Sequence, residues 1–209
     1  MSKIKICGLT RLQDIEYVNE ARPDYIGFVF AESRRQVGYE TAARLRKKLS
    51  GRIKAVGVFV NEEQPSILQL CENGVIDLIQ LHGDEDNQYI LALKSKLAIR
   101  GITSPVIKAA RVRDAGQTVM ARQFDSDFIL LDTYSDKAYG GTGKAFDWQL
   151  CKNAGRPFFL AGGINCGNAA EAIKTAKPYC LDVSSGVENG GFKDREKIIE
   201  LVKLVRSVK

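Results

Sequence analysis

A chain of 209 residues with 44% hydrophobic and 27% charged side chains is large enough for one substantial core, expected as a single domain over residues 1–209. That balance excludes disordered, collagenous and disulfide-scaffold proteins. The formal charge of +6 admits an anionic partner, nucleic acid or a phosphorylated metabolite, while no apolar run approaches the roughly eighteen residues of a membrane span and no secretory-type stretch opens the chain, so a cytoplasmic protein without membrane contact is expected.

Taken in chain order, short runs of β-branched and apolar residues recur at 4–6, 25–30, 55–60, 75–81, 106–110, 128–131, 158–161 and 181–183. Between them the apolar spacing becomes helical, as at Ala169, Ala172, Ile173 and Ala176, and again at Ile198, Leu201, Val202 and Val205. Eight such units of about 26 residues each predict an α/β chain folded as a compact (β/α)8 TIM barrel, with a doubly wound open sheet as the alternative. Both topologies carry their chemistry just beyond the carboxyl ends of the strands. The glycines at 140–143, in the long connection after the sixth run, suit either a loop that folds over a ligand or a rigid turn ahead of a helix at Phe146-Asp147-Trp148.

Five cysteines (Cys7, Cys71, Cys151, Cys166 and Cys180), odd in number and without C-x-x-C spacing, stand beside a single histidine. They read as reduced thiols, with neither a disulfide framework nor a metal site. The basic residues cluster at Arg44, Arg46, Lys47 and Lys48 and at Lys197, Lys203 and Arg206, interleaved with apolar positions and without alternating aromatics. Solvated helix faces explain them better than a nucleic-acid surface, which needs stacking platforms, so the expected partner is a small phosphorylated molecule. Whether the chain is a monomer or a dimer is left open.

The strand ends carry the candidate chemistry. The first run closes on Lys5-Ile6-Cys7-Gly8, placing Cys7 at the rim, where a lone cysteine is more often a small buried hydrophobe than a catalyst. Lys5, one strand period earlier, shares its face and is expected to lower the thiol's pKa. His82 ends the fourth run, either as a site residue or as a hydrogen-bonded rim histidine. The sixth ends on Leu130-Leu131-Asp132, and its carboxylate reaches Cys7 only across the mouth, an arrangement that suits an acid and a base on two sides of a small substrate. The seventh run opens into Gly162-Gly163 and the eighth into Asp182-Val183-Ser184-Ser185-Gly186-Val187-Glu188. Paired glycines in one loop and Ser-Ser-Gly in the next predict a phosphate held mainly by backbone N–H groups.

Together the stretches Lys5-Ile6-Cys7-Gly8-Leu9-Thr10, Gly27-Phe28-Val29-Phe30, Val56-Gly57-Val58-Phe59-Val60-Asn61, Gln80-Leu81-His82-Gly83, Leu130-Leu131-Asp132-Thr133, Gly140-Gly141-Thr142-Gly143, Ala161-Gly162-Gly163 and Asp182-Val183-Ser184-Ser185-Gly186-Val187-Glu188 resemble the phosphoribosylanthranilate isomerase family, from end to end and in its order. The resemblance implies a (β/α)8 barrel in tryptophan biosynthesis that performs an Amadori rearrangement without metal or cofactor. It implies Cys7 as general base, Asp132 as general acid and Arg35, beside Arg34, as the partner of the anthranilate carboxylate. His82, Gly162, Gly163, Asp182, Ser184, Ser185, Gly186 and Glu188 are implied as binding residues. Related phosphosugar barrels share paired phosphate loops but use a lysine-centred or aspartate-centred site where this chain has Cys7. One departure is the helix start Asn165-Cys166-Gly167-Asn168, which lacks the proline family members often carry.

Overall fold

The computed structural model describes residues 1–132 and 148–208. Eight parallel strands close into a barrel in sequence order: β1 (Lys3–Cys7), β2 (Tyr25–Val29), β3 (Lys54–Phe59), β4 (Leu78–Leu81), β5 (Val106–Arg111), β6 (Phe128–Asp132), β7 (Phe158–Ala161) and β8 (Cys180–Val183). Closure is direct, because β1 pairs with β2 through Cys7 and Gly27 and with β8 through Lys5 and Asp182. The open-sheet alternative is thereby excluded. Among the described residues the helices are α1 (Leu12–Ala21), α2 (Tyr39–Arg46), α3 (Gln64–Glu72), α4 (Asn87–Ile99), α5 (Ala115–Ala121), α6 (Ala169–Ala176) and α7 (Arg195–Ser207). None of these is long and apolar enough to cross a membrane.

Alternation along each strand sorts the core into two layers. Outward residues such as Ile4, Ile6, Ile79, Leu81, Leu131 and Leu160 pack beneath the helices. Inward residues Tyr25, Val56, Leu78, Ile107, Leu130 and Phe159 fill the barrel itself. At its amino end Tyr25, Phe128, Phe159 and Tyr179 close the base, with ring centroids 5.1–5.7 Å apart. A plugged base leaves the opposite end as the open mouth.

Four local features differ from the expectation. The run at 75–81 starts its strand only at Leu78, because Gly74 (φ +63°) ends α3 and the Val75 N–H returns to the Leu70 carbonyl at 2.9 Å. Val75 and Ile76 therefore pack against the helix end instead of extending the sheet, as this type of cap requires. The helix after Gly162-Gly163 begins at Ala169, and in place of proline Asn165 and Asn168 brace each other, with the Asn165 N–H donating to Asn168 Oδ1 at 2.8 Å. Around Trp148 the chain forms a 3₁₀ helix, Trp148–Ala154, while Phe146, Asp147 and the glycines at 140–143 lie outside the described residues. After β8 the chain adds a small hairpin, β9 (Glu188–Asn189) and β10 (Phe192–Lys193), which the sequence reading did not anticipate.

Candidate active site

At the carboxyl ends of the strands a cavity of about 430 Å³ is lined by Cys7, Arg35, Gln80, His82, Asp132, Gly162, Gly163, Asp182, Ser184 and Ser185, with Val29, Val58, Val60 and Ile164 as its apolar wall. That volume lies in the range of small-molecule sites. Cys7 and Asp132 end strands that sit three places apart around the closed barrel, so they flank the cavity as expected.

Cys7 sits in a slot made by a missing side chain. A Cβ on the neighbouring Gly27 would lie 2.6 Å from its Sγ, and only glycine leaves room for the thiol. Lys5 does pull the thiol's pKa down, as expected, but burial outweighs it. Burial pushes the Cys7 thiol up, the Lys5 charge pulls it back, and Asp182 adds to the rise, so the thiol ends above its ordinary value. Lys5 itself is fully buried. Burial alone would lower its ammonium, but the Asp182 carboxylate, 2.9 Å away, outweighs that and keeps it charged. Asp182 is accordingly committed at the cavity floor, with Oδ2 on Lys5 and Oδ1 buried without a hydrogen-bond partner.

Arg35 and Arg34 both donate to Glu188 Oε2, each from Nη2 at 2.8 Å, but they differ in exposure. Arg35 lines the cavity and its side chain is 22% exposed, whereas Arg34 is 60% exposed and is not among the lining residues. Glu188 lies behind Arg35 instead of facing the cavity. It accepts from Arg35 Nε at 2.6 Å and Nη2 at 2.8 Å, and from Lys193 Nζ at 2.7 Å. Burial opposes ionisation of Glu188, yet the Arg35 and Lys193 hydrogen bonds hold its carboxyl down at about 2. Lys193 went unnoticed in the sequence because it follows the last barrel strand with no motif around it.

The two glycine- and serine-rich loops meet directly. A Cβ on Gly186 would lie 1.9 Å from the Ile164 carbonyl oxygen, so this glycine lets the β8 loop touch the β7 loop and does not itself line the cavity. Gly162 and Gly163 adopt φ of +100° and +64°, which turns the chain at the rim. The Ser184 hydroxyl is spent on the Cys7 carbonyl at 3.1 Å, so the Ser185 side chain and backbone N–H groups are the donors this loop offers to an anion.

His82 is held from both sides: Gln80 Nε2 lies 2.8 Å from its Nδ1 and Asp132 Oδ2 lies 3.3 Å from its Nε2. Behind it, Glu85 pairs with buried Lys108 at 2.8 Å and accepts the Gly83 and Asn61 N–H groups, so the loop carrying His82 is anchored from outside the barrel. Gln80 was also overlooked, although a polar residue at an alternate position inside the run Leu78-Ile79-Gln80-Leu81 was a readable signal. All five cysteines are free thiols.

The family profile of N-(5′-phosphoribosyl)anthranilate (PRA) isomerase matches residues 4–204. A curated relative of that name from Endomicrobium trichonymphae is 52% identical over 208 residues, 100% of both chains. The crystal structure of phosphoribosyl anthranilate isomerase from Thermotoga maritima superposes with a TM-score of 0.83 at 38% identity, covering 99% of each chain. A structure of the same enzyme type in complex with reduced 1-(o-carboxyphenylamino)-1-deoxyribulose 5-phosphate superposes with a TM-score of 0.81 at 36% identity, again over 99% of each chain. With the profile and the full-length relative in agreement, the chain belongs to the N-(5′-phosphoribosyl)anthranilate isomerase family.

Proposed function

We propose that the barrel mouth converts N-(5′-phosphoribosyl)anthranilate into 1-(2-carboxyphenylamino)-1-deoxyribulose 5-phosphate, a step of tryptophan biosynthesis, with Cys7 as general base and Asp132 as general acid. The observation that carries this reading is the shared cavity, where Cys7, Asp132, Arg35 and the two phosphate-type loops all face one space. The loops at Gly162-Gly163 and Ser184-Ser185 hold the phosphate through backbone N–H groups, and Arg35 takes the ring carboxylate. The valines and Ile164 give the aromatic ring an apolar bed.

The chemistry follows in balanced steps. Asp132 gives a proton to the furanose oxygen, the C1–O bond breaks, and the nitrogen lone pair forms a Schiff base at C1. Cys7 removes the proton from C2, and the C–H electron pair becomes the enolamine double bond. The proton on Cys7 then goes to C1 while the enol oxygen returns its proton to Asp132, leaving a ketone at C2. Carbon 1 is reduced as carbon 2 is oxidised within one molecule, and both residues end as they began. A cytoplasmic location and one catalytic domain over residues 1–209, independent of nucleic acid, go with this reading.

The test is loss of phosphoribosylanthranilate fluorescence on adding the purified protein. Turnover is expected for the wild type, and Cys7→Ser and Asp132→Asn should each lower kcat by roughly 10²- to 10⁴-fold. Most of the wild-type kcat in either variant would sink the acid/base assignment.

A further inference from the structure

Lys5, Gln80, His82 and Asp132 form one continuous hydrogen-bonded chain from the floor of the cavity to its rim. Lys5 Nζ lies 2.8 Å from Gln80 Oε1, Gln80 Nε2 lies 2.8 Å from His82 Nδ1, and His82 Nε2 lies 3.3 Å from Asp132 Oδ2. The polarity of this chain is set at its buried end. An ammonium has three donors and nothing to accept with, and Asp182 keeps Lys5 charged. The Gln80 atom that faces it must therefore be the carbonyl oxygen. With that oxygen taken, the atom facing His82 is the amide nitrogen, which can only donate. His82 Nδ1 accepts, so the ring's single proton belongs on Nε2, the nitrogen that faces Asp132.

We infer that Gln80 is a positioning residue that fixes His82 in the Nε2–H tautomer and thereby decides which oxygen of Asp132 carries a proton. Asp132 Oδ2 accepts from His82, so the protonated acid bears its hydrogen on Oδ1, the oxygen that no hydrogen bond among the described residues engages. Turning the Gln80 amide over sets its NH₂ against the ammonium and loses the hydrogen bond from Lys5, which is why a polar residue only 1% exposed holds one orientation. The consequence for Asp132 rests on the reading of that residue as the general acid. The tautomer itself does not.

The chain has a single histidine, so imidazole ¹⁵N NMR of the whole protein at about pH 8, above the ordinary histidine pKa, reports His82 without assignment. The nitrogen correlated with both ring carbon-bound protons is Nε2, and in the wild type it should be the protonated one. In Gln80→Glu the new carboxylate accepts at this position, so Nδ1 should become protonated. That variant should lose about ten- to a hundredfold in kcat with little change in KM, the range seen when the residue orienting a site group is altered. Gln80→Met, which removes the donor at similar length, should show a mixture of tautomers and a smaller fall in kcat. A wild type protonated at Nδ1, an unchanged tautomer in Gln80→Glu, or an unchanged kcat in both variants overturns the inference. Activity surviving in Asp132→Asn would instead refute the assignment of the acid and leave the tautomer result standing.

Discussion

A guanidinium offers five N–H donors in a planar fork, and among the described residues Arg35 spends one edge of it, on Glu188. Glu188 occupies Nε and Nη2, so the end formed by the two Nη atoms remains available for two parallel bonds to a carboxylate. That contact lies away from the reacting sugar carbons and is made in ground and transition states alike. Arg35→Met should therefore raise KM more than it lowers kcat, with kcat/KM down about ten- to a hundred-and-fifty-fold for a charge-assisted bond. Arg34→Met, at an exposed position, should leave both within about twofold, and the reverse pattern would move the ligand to Arg34. At Cys7 the base is the thiolate, and the thiol sits above its ordinary value because burial outweighs Lys5. Raising pH therefore increases the thiolate fraction across the whole neutral range. We expect the rate at which iodoacetamide alkylates Cys7, taken as the part of the reaction lost in Cys7→Ser, to go on climbing beyond about pH 8.5, the ordinary cysteine value, and a plateau already reached at pH 7 would contradict a thiol raised by burial.

At the scale of elements, the hairpin β9–β10 does for Arg35 what no barrel strand does. It brings Glu188 and Lys193 face to face beside the mouth, with Lys193 Nζ also donating to the Ser184 carbonyl at 3.0 Å. One carboxylate thus ties the β2 loop, the β8 loop and the hairpin together. Because its folded pKa of about 2 lies below the unfolded value of about 4.3, its stabilisation is fully present above that unfolded value and is lost as pH falls toward 2. The gap in Tm between wild type and Glu188→Gln should accordingly stay constant from pH 8 to 5 and close between about pH 4.3 and 2. A gap that is still full-sized near the bottom of that window would show that Glu188 acts through shape instead of charge.

For the molecule as a whole, the Lys5–Asp182 pair spans the seam where β1 meets β8. Removing one member leaves the other's charge buried, whereas replacing both with apolar residues of similar volume removes the problem. Lys5→Met should cost about 3–5 kcal/mol, a fall in Tm of roughly 6–20 °C for a chain of this size. The double variant Lys5→Met/Asp182→Leu should recover most of that loss by thermal unfolding while remaining inactive, because the floor of the cavity and the anchor of Gln80 are gone. A double variant no more stable than the single one would assign the cost to lost packing.

What could be read along the chain was what depends on near neighbours. Strand runs, helical spacing and strand-end motifs are local, and in a parallel barrel every strand end faces the same mouth, so Cys7, Asp132 and the loops at Gly162-Gly163 and Ser184-Ser185 were found as cavity residues without coordinates, whereas Arg35 was named only through the family resemblance. The start of β4 was misread because Gly74 turned two apolar residues to cap a helix, a choice that neighbouring hydrophobicity does not distinguish. The remaining decisions belong to closure. Glu188 reaches Arg35 from 153 residues away, and the chain Lys5–Gln80–His82–Asp132 draws on three strands that meet only when the barrel shuts. The net direction at Cys7 likewise follows from how much water the finished fold excludes, since desolvation is a property of surroundings assembled from the whole chain.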